Sequence, residues 1–330
     1  MKLDMLATRP DAAGLLRFHD HEPAQDDFRT ALVAGLSGVS KSIPCRFLYD
    51  ASGSLLFDRI CELPEYYPTR TEVGILGANA AEMAAVIGSC AQIVELGSGS
   101  SAKIGLLLDA LDAPWSYVPI DISREHLLGA AQAIQQQYPA LRVEAVCADF
   151  AQEFDLPAND GGGARICFYP GSTIGNLTPS EALAFLTQWS ARLGRGALMI
   201  IGVDLRKDAS ILEPAYDDAA GVTARFSLNM LARANRELGT DFDVSRFRHR
   251  AIYHPDTGRV GIDLVAQADQ IIHLDHHRFR VAEGEAIHIE DSWKYHISDF
   301  QALAAKAGFA ARDVWTDDAR LFSVHLLEVA

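Results

Sequence analysis

No stretch of this chain is apolar for long enough to cross a bilayer; the longest such run, Ala197 to Val203, is only strand length. The first thirty residues mix acids, histidines and apolar residues, so neither a secretion signal nor a membrane span is expected. Positive charge is scarce too. With 29 Lys and Arg against 44 Asp and Glu, the net charge is −15, which disfavours phosphate backbones and anionic lipid, both of which need a basic surface. Neither nucleic acid nor membrane is expected as a partner. The five cysteines, Cys45, Cys61, Cys90, Cys147 and Cys167, are scattered, odd in number and without metal-ligand spacing. They read as buried thiols of a reducing, cytoplasmic compartment. His273, His276 and His277 straddle a probable hairpin bend without a cysteine or carboxylate framework, so no metal is expected. There is no Gly-x-Ser-x-Gly elbow and no Walker loop, which leaves hydrolase and kinase chemistry without support.

The chain does have a glycine turn between two strands. Ile93-Val-Glu-Leu-Gly-Ser-Gly-Ser-Ser101 is an apolar strand running into the turn, and Tyr117-Val-Pro-Ile-Asp121 follows one helix later. Glycine lets backbone approach a ligand closely. An acid closing the next strand can accept hydrogen bonds from ribose hydroxyls at the carboxyl edge of a parallel sheet. The third glycine of a dinucleotide fingerprint is missing, because Gly97 and Gly99 are followed by Ser100, Ser101, Ala102 and Lys103. Glu95, just before the turn, is an awkward neighbour for phosphates but suits a cation. S-adenosylmethionine carries a sulfonium and an ammonium. Asp121, with Asp149-Phe150 at the end of the third strand, supports that reading over an ordinary strand-to-helix turn.

From Ile93 to Leu205 strands and helices alternate in the doubly wound manner, with strands at Gln92–Leu96, Tyr117–Ile120, Arg142–Cys147, Arg165–Tyr169 and Ala197–Val203. Helices are expected near Ala102–Leu111, Arg124–Tyr138 and Pro179–Leu193. The last opens on Thr178-Pro179-Ser180-Glu181, a capping box with proline at the first helical position. After Leu205 the alternation stops. A helical stretch at Ile211–Leu238 leads to β-like segments at Ala251–Tyr253, Arg259–Ala266 and Gln270–Leu274, with Asp256-Thr-Gly258 as a hairpin turn. Helix and strand return at Ile297–Ala307 and Phe322–Val329 to complete the sheet. The expected architecture is α/β, a Rossmann-like doubly wound domain over 91–205 and 294–330. A second, α+β part comes from residues 1–90 and an insertion at 206–293.

Three clusters outside the glycine turn carry polar chemistry. Tyr49-Asp50-Ala-Ser-Gly-Ser and Leu63-Pro-Glu65-Tyr66-Tyr67-Pro-Thr-Arg70 place tyrosines among prolines: rigid hydroxyls able to grip a carboxylate or ammonium, or a proline-braced turn with tyrosines packed for bulk. Pro170-Gly171-Ser-Thr-Ile-Gly175-Asn176-Leu177 follows the fourth strand, where an open α/β sheet binds ligands; Asn176 is either a ligand contact or a turn residue. In an extended His288-Ile-Glu290-Asp-Ser292, residues 288, 290 and 292 alternate onto one face. A carboxylate and a hydroxyl so placed can hold an imidazole, and a solvated edge strand is the alternative. Tyr216-Asp217-Asp218 adds a further hydroxyl.

Phe47-Leu-Tyr49-Asp50-Ala-Ser-Gly-Ser, Leu63-Pro-Glu-Tyr-Tyr-Pro-Thr-Arg-Thr-Glu72, Glu95-Leu-Gly-Ser-Gly, Gly171-Ser-Thr-Ile-Gly-Asn-Leu177, Ala215-Tyr-Asp-Asp-Ala-Ala-Gly-Val-Thr-Ala224 and Asn235-Arg-Glu-Leu-Gly239 together resemble the histidine-specific S-adenosylmethionine-dependent methyltransferases. The similarity runs from about Lys41 to the C-terminus. The resemblance implies Nα-trimethylation of L-histidine to hercynine, in ergothioneine biosynthesis. It assigns Gly97, Lys103, Asp121, Asp149 and Phe150 to the cofactor, beside Glu95. Tyr66, Asn176 and Tyr216 would hold the amino acid's carboxylate and amine, Glu290 and Ser292 would read the imidazole, and Tyr49 would stand near the reacting amine. Tyr169-Pro170 and Ile262, where a methionine is expected, depart from the family pattern and bear on how strictly histidine is preferred. The alternatives are a methyltransferase of the same fold acting on another amine such as tryptophan, a non-catalytic S-adenosylmethionine or amino-acid sensor, and a nicotinamide-dependent oxidoreductase. A monomer or weak homo-oligomer is expected.

Overall fold

Strands buried on both faces read as continuous apolar runs, and such runs form the centre of this molecule. The computed structural model describes residues 16–21, 28–98 and 101–330; Gly99 and Ser100 of the glycine turn, with residues 1–15 and 22–27, lie outside the described residues. The first elements are β1 (Leu16–Asp20), α1 (Phe28–Ser37), β2 (Lys41–Ser42), α2 (Ala51–Cys61) and α3 (Tyr67–Ile87). The alternating part follows as β3 (Gln92–Leu96), α4 (Ser101–Ala110), β4 (Ser116–Asp121), α5 (Arg124–Gln137), β5 (Arg142–Cys147), β6 (Arg165–Tyr169), α6 (Pro179–Leu193) and β7 (Leu198–Asp204). Next come α7 (Ala209–Tyr216), α8 (Val222–Leu238), β8 (Phe247–His254), β9 (Arg259–Ala266), β10 (Gln270–Leu274), β11 (His277–Val281) and β12 (Ala286–Trp293). The chain closes with α9 (Ile297–Lys306), β13 (Phe309–Thr316) and β14 (Phe322–Val329).

The large sheet has the order β1-β5-β4-β3-β6-β7-β14-β13. Strands β1 to β7 within it run parallel, and β14 lies antiparallel to both β7 and β13. This is a doubly wound parallel sheet with an antiparallel strand pair at one edge and the additional parallel strand β1 at the other. Alternate residues of the buried strands feed two cores. Ile93, Tyr117 and Val143 pack with α3, α4 and α5 on one face, while Val94, Val118 and Val146 pack with α6 and α9 on the other. Strand order reverses at β3, between β4 and β6, so a crevice opens beyond the carboxyl ends of β3 and β6.

A third core joins α1, α2, α7 and α8 to a smaller sheet of order β2-β12-β9-β8 and to the β10–β11 hairpin. The N-terminal region is shared between the two bodies. Helices α1 and α2 pack into this smaller core, whereas Ile75, Leu76, Met83 and Ile87 of α3 pack against the large sheet and β1 extends its edge.

The expected five strands and three helices of the alternating part are present with their ends shifted by a residue at most, and the capping box at Thr178 and Glu181 is formed. The helical stretch expected at Ile211–Leu238 is two helices. The Asp218 carboxylate takes the backbone N–H groups of Val222 and Thr223 (2.9 and 2.7 Å), which starts α8 afresh. Strands β1 and β13 escaped the sequence pattern because both lie at sheet edges; in β13 only Phe309 and Trp315 are buried. Among the described residues no helix is long and apolar enough to cross a membrane.

Candidate active site

At the end of β3, Gly97 has φ +72°, a left-handed conformation that costs any L-residue and turns the chain from strand to helix. The Ser98 hydroxyl beside it is buried without a hydrogen-bond partner. Asp121 closes β4, where burial raises its pKa. Asp149 accepts the Ala151 N–H at 2.9 Å, and the Phe150 ring meets Tyr169 and Phe185 edge-on. An orphaned hydroxyl, two strand-end acids and an aromatic ring around one crevice fit a nucleoside carrying a cationic tail. Glu95 lies deeper. It accepts a hydrogen bond from the Tyr117 hydroxyl, and burial pushes its pKa up to about 8.

From this edge a continuous polar chain runs into the smaller body. Lys103 of α4 pairs with Glu72 of α3 at 2.6 Å, and both Glu72 oxygens accept the Gly171 N–H at 2.9 Å. The carboxyl reaches this position only because Gly202 has no side chain; a Cβ there would lie 2.0 Å from Glu72 Oε1. Next to Gly171, the Ser172 hydroxyl accepts the N–H of Asp204 at 2.9 Å. Asp204 is fully buried and takes Lys207 at 2.6 Å, Lys294 at 2.7 Å and the Tyr67 hydroxyl at 2.7 Å. Burial alone would raise the Asp204 pKa, but the two ammonium groups outweigh it and hold it below the ordinary value. Lys207 is itself lowered to about 8 by burial. Lys294 then reaches Tyr216 Oη at 2.5 Å and Ser292 Oγ at 2.8 Å.

The tyrosines meet in an aromatic enclosure. Tyr49 sits edge-on to Phe57 and Phe226, with ring centroids 5.6 and 5.5 Å apart. Tyr66 meets Phe57 at 6.3 Å and Tyr216 at 6.2 Å. Tyr49 is placed by its neighbour Asp50, which caps α2 through the Gly53 N–H at 2.7 Å. Asp50 also accepts from Asn229 of α8 at 2.8 Å, so α2 and α8 are locked together. Desolvation of the hydroxyl and the nearby Glu290 hold the Tyr49 phenol well above its ordinary pKa, although the residue as a whole keeps 42% of its surface exposed. Asn176 ends the short 3₁₀ turn Thr173–Asn176, which lies against the backbone of Trp293 in β12.

Strand β12 departs from simple alternation. His288 pairs with Asp263 of β9 and Glu290 with the next residue, Ile262, so Ile289 is an extra residue in a bulge. The expectation that residues 288, 290 and 292 share one face is therefore corrected. Glu290 and Ser292 face inward, while His288 lies on the outer face, bonded to Asp263 at 3.0 Å and to Asp291 at 3.3 Å. These two carboxylates raise the His288 pKa to about 9. Arg250 and Arg259 complete the outer ion network at 2.7 and 2.9 Å. On the inner face, burial lifts the Glu290 pKa to about 7, and Ser292 Oγ lies 2.9 Å from the Tyr216 hydroxyl.

Glu95, Gly97, Lys103, Asp121, Asp149 and Phe150 thus lie at the carboxyl edge of the large sheet. Tyr49, Tyr66, Tyr216, Glu290 and Ser292 gather in the smaller body, and Asn176 lies on the turn between them. Sequence reasoning missed Phe57, Phe226, Asp204, Lys207 and Lys294, and gave no individual role to Tyr67 and Glu72 although both stand in the motifs it singled out. Asp204 had a usable signal, a charged residue at the end of an otherwise apolar strand.

The model of the family described as "Histidine-specific methyltransferase, SAM-dependent" matches residues 28–329. The chain is 41% identical over 310 residues to the histidine N-alpha-methyltransferase of Mycolicibacterium smegmatis, covering 92% of this chain and 96% of that protein. It is also 41% identical over 304 residues to that of Mycobacterium tuberculosis, covering 90% and 94%. Ergothioneine biosynthesis protein 1 of Neurospora crassa is 33% identical over 308 residues, 87% of this chain but only 33% of that longer protein. The chain belongs to the histidine-specific, S-adenosylmethionine-dependent methyltransferase family.

Proposed function

We propose that this enzyme transfers methyl groups from S-adenosylmethionine to the α-amino nitrogen of L-histidine, three times in succession, to give hercynine. The reading is carried by the unbroken polar chain from Lys103 beside the glycine turn, through Glu72, Gly171, Ser172, Asp204 and Lys294, to Tyr216 and Ser292. It ties the cofactor edge and the amino-acid pocket into one rigid frame. Gly97, Ser98, Asp121, Asp149, Phe150 and Lys103 hold the cofactor, which supplies an electrophilic methyl group. Tyr66, Tyr216 and Asn176 hold the amino acid's carboxylate and amine, while Glu290 accepts the imidazole N–H and Ser292 donates to its other nitrogen. Division into a Rossmann-like part and a substrate part assembled from α1, α2, the Tyr49 and Tyr66 segments and residues 206–293 follows from these roles.

Methyl transfer is an in-line displacement: the amine lone pair forms a C–N bond as the C–S bond breaks, S-adenosylhomocysteine leaves, and each new ammonium that still carries hydrogen releases a proton to water before the next transfer. Holding two reactants in that line can supply about 7–11 kcal/mol of the barrier. The amine must be neutral, and an α-amino pKa of about 8 provides a neutral fraction without a strong base. Tyr49, whose phenol keeps its proton, orients rather than deprotonates. The aromatic enclosure tolerates the growing quaternary cation through cation–π attraction of about 0.5–2 kcal/mol.

Mass spectrometry of the products from histidine and S-adenosylmethionine tests the reading, with gains of one, two and three methyl groups expected. Ile262, directly opposite Glu290 in the ladder, is the residue most able to shift preference to another amino acid. A panel of amino acids assayed for S-adenosylhomocysteine release distinguishes the two. Faster turnover of tryptophan than of histidine would refute the histidine assignment.

A further inference from the structure

Tyr216 and Ser292 present hydroxyls 2.9 Å apart, and each can both give and take a hydrogen bond. Lys294 Nζ touches both, at 2.5 and 2.8 Å, and its remaining short contact is Asp204 Oδ2 at 2.7 Å. An ammonium has three protons and no lone pair, so these three contacts exhaust it. Asp204 receives one proton, and each hydroxyl oxygen accepts one. A hydroxyl that accepts from Lys294 keeps its own proton for some other acceptor. In the empty cleft one of the pair donates to the other, which leaves a single hydroxyl proton pointing outward.

We propose that Lys294 is a positioning residue of the amino-acid site: it donates to both hydroxyl oxygens, so that Tyr216 and Ser292 are both free to turn their protons toward the substrate. The Tyr216–Ser292 hydrogen bond then acts as a placeholder that the amino acid displaces. This rests on the assignment of Tyr216 to the carboxylate and Ser292 to the imidazole. When histidine binds, Tyr216 donates to a carboxylate oxygen and Ser292 to the unprotonated imidazole nitrogen. Lys294 still serves both oxygens, so no buried group loses a partner. Recognition of the two ends of the substrate is thereby coupled through one ammonium. Asp204 keeps that ammonium charged and aimed. Burial alone would favour the neutral amine, but the carboxylate overrides it, while Lys207 holds the other oxygen of Asp204 and the Tyr67 hydroxyl lies against both. Lysine is the residue for this position, because its three divergent donors match three separate acceptors where the planar arginine fork would not.

The test is a double-mutant cycle on histidine kinetics, with S-adenosylhomocysteine binding as the control for folding. Lys294→Met should raise KM for histidine by about 30–100-fold with kcat within about fivefold, a split that marks lost substrate binding. S-adenosylhomocysteine affinity should not change. Adding Tyr216→Phe or Ser292→Ala to Lys294→Met should cost no more than about threefold further, because interacting residues are non-additive. If KM in Lys294→Met stays within about threefold of the parent, or if the losses multiply, the role of Lys294 is overturned. Should Lys294→Met fail to bind S-adenosylhomocysteine, Asp204→Asn/Lys294→Met leaves no carboxylate short of a partner and carries the same two outcomes. Parent enzyme assayed alongside separates the two levels: inactivity on histidine overturns the substrate assignment and the Lys294 role together, whereas an active parent with unaffected variants overturns the Lys294 role alone.

Discussion

At the carboxyl edge of the large sheet, the ligand-facing groups come from one local unit, a strand end, its glycine turn and the residues closing the next two strands. Across the cleft, the corresponding groups hang from five separate segments, the Tyr49 and Tyr66 loops, the end of α7, strand β12 and the 3₁₀ turn bearing Asn176. The first region is built mainly by backbone conformation and the second by side chains meeting at long range. Backbone sites tolerate change in their neighbours but not in their own φ. Side-chain sites depend on every partner that aims them.

The largest effect should come where the two regions join. In Gly202→Ala the new methyl group would collide with Glu72, displacing a buried carboxylate from Gly171 and Lys103. Overpacking with loss of a buried pair should cost about 3–5 kcal/mol, read as a lower urea midpoint and loss of both ligands together. Next is Glu290→Ala, which removes the acceptor for the imidazole at a cost of about 1–3 kcal/mol. Histidine kcat/KM should fall by about 10–100-fold with S-adenosylhomocysteine affinity intact, and an unchanged kcat/KM would take Glu290 out of recognition. Gly97→Ala meets open space but must hold φ +72°, so a loss of about 1–2 kcal/mol should appear in cofactor affinity while histidine binding is spared. If histidine affinity fell equally, the division between backbone and side-chain sites would not hold.

The smallest effect lies on the outer face of β12. His288 has a folded pKa of about 9 against about 6.5 in an unfolded chain. Its contribution is therefore fully present below about pH 6.5 and lost as pH rises through about 9. Because the ring is 36% exposed, solvent screening reduces that contribution to about 1 kcal/mol. Denaturation of the parent and of His288→Asn at pH 6 and pH 9.5 should differ most at pH 6.

This contrast also explains what could be read from the sequence. The strand-turn-acid unit is contiguous, so Glu95, Gly97 and Asp121 announced themselves by spacing, as did the helix start at Thr178. The tyrosines and the Glu290–Ser292 pair were visible as residue types, and the family resemblance is what gave them roles. Lys294 and Asp204 stayed hidden because their significance is a contact between positions 90 apart in the chain. Phe57 and Phe226 carry no distinguishing signal, since an aromatic lining a pocket and one filling a core have the same helical periodicity. The edge strands β1 and β13 lacked a two-sided apolar pattern.

Ile289 gives β12 two parities. Before it, odd-numbered Ile287 turns inward; after it, even-numbered Glu290 and Ser292 do. Position 289 is thus the place in this strand where the chain can lose a residue with every other side chain keeping its side of the ladder. A deletion at Asp291 would instead swing Ser292 out to the solvent. A shortened relative with its gap at 289 should keep the same amino-acid reader, and one with its gap two residues later should not.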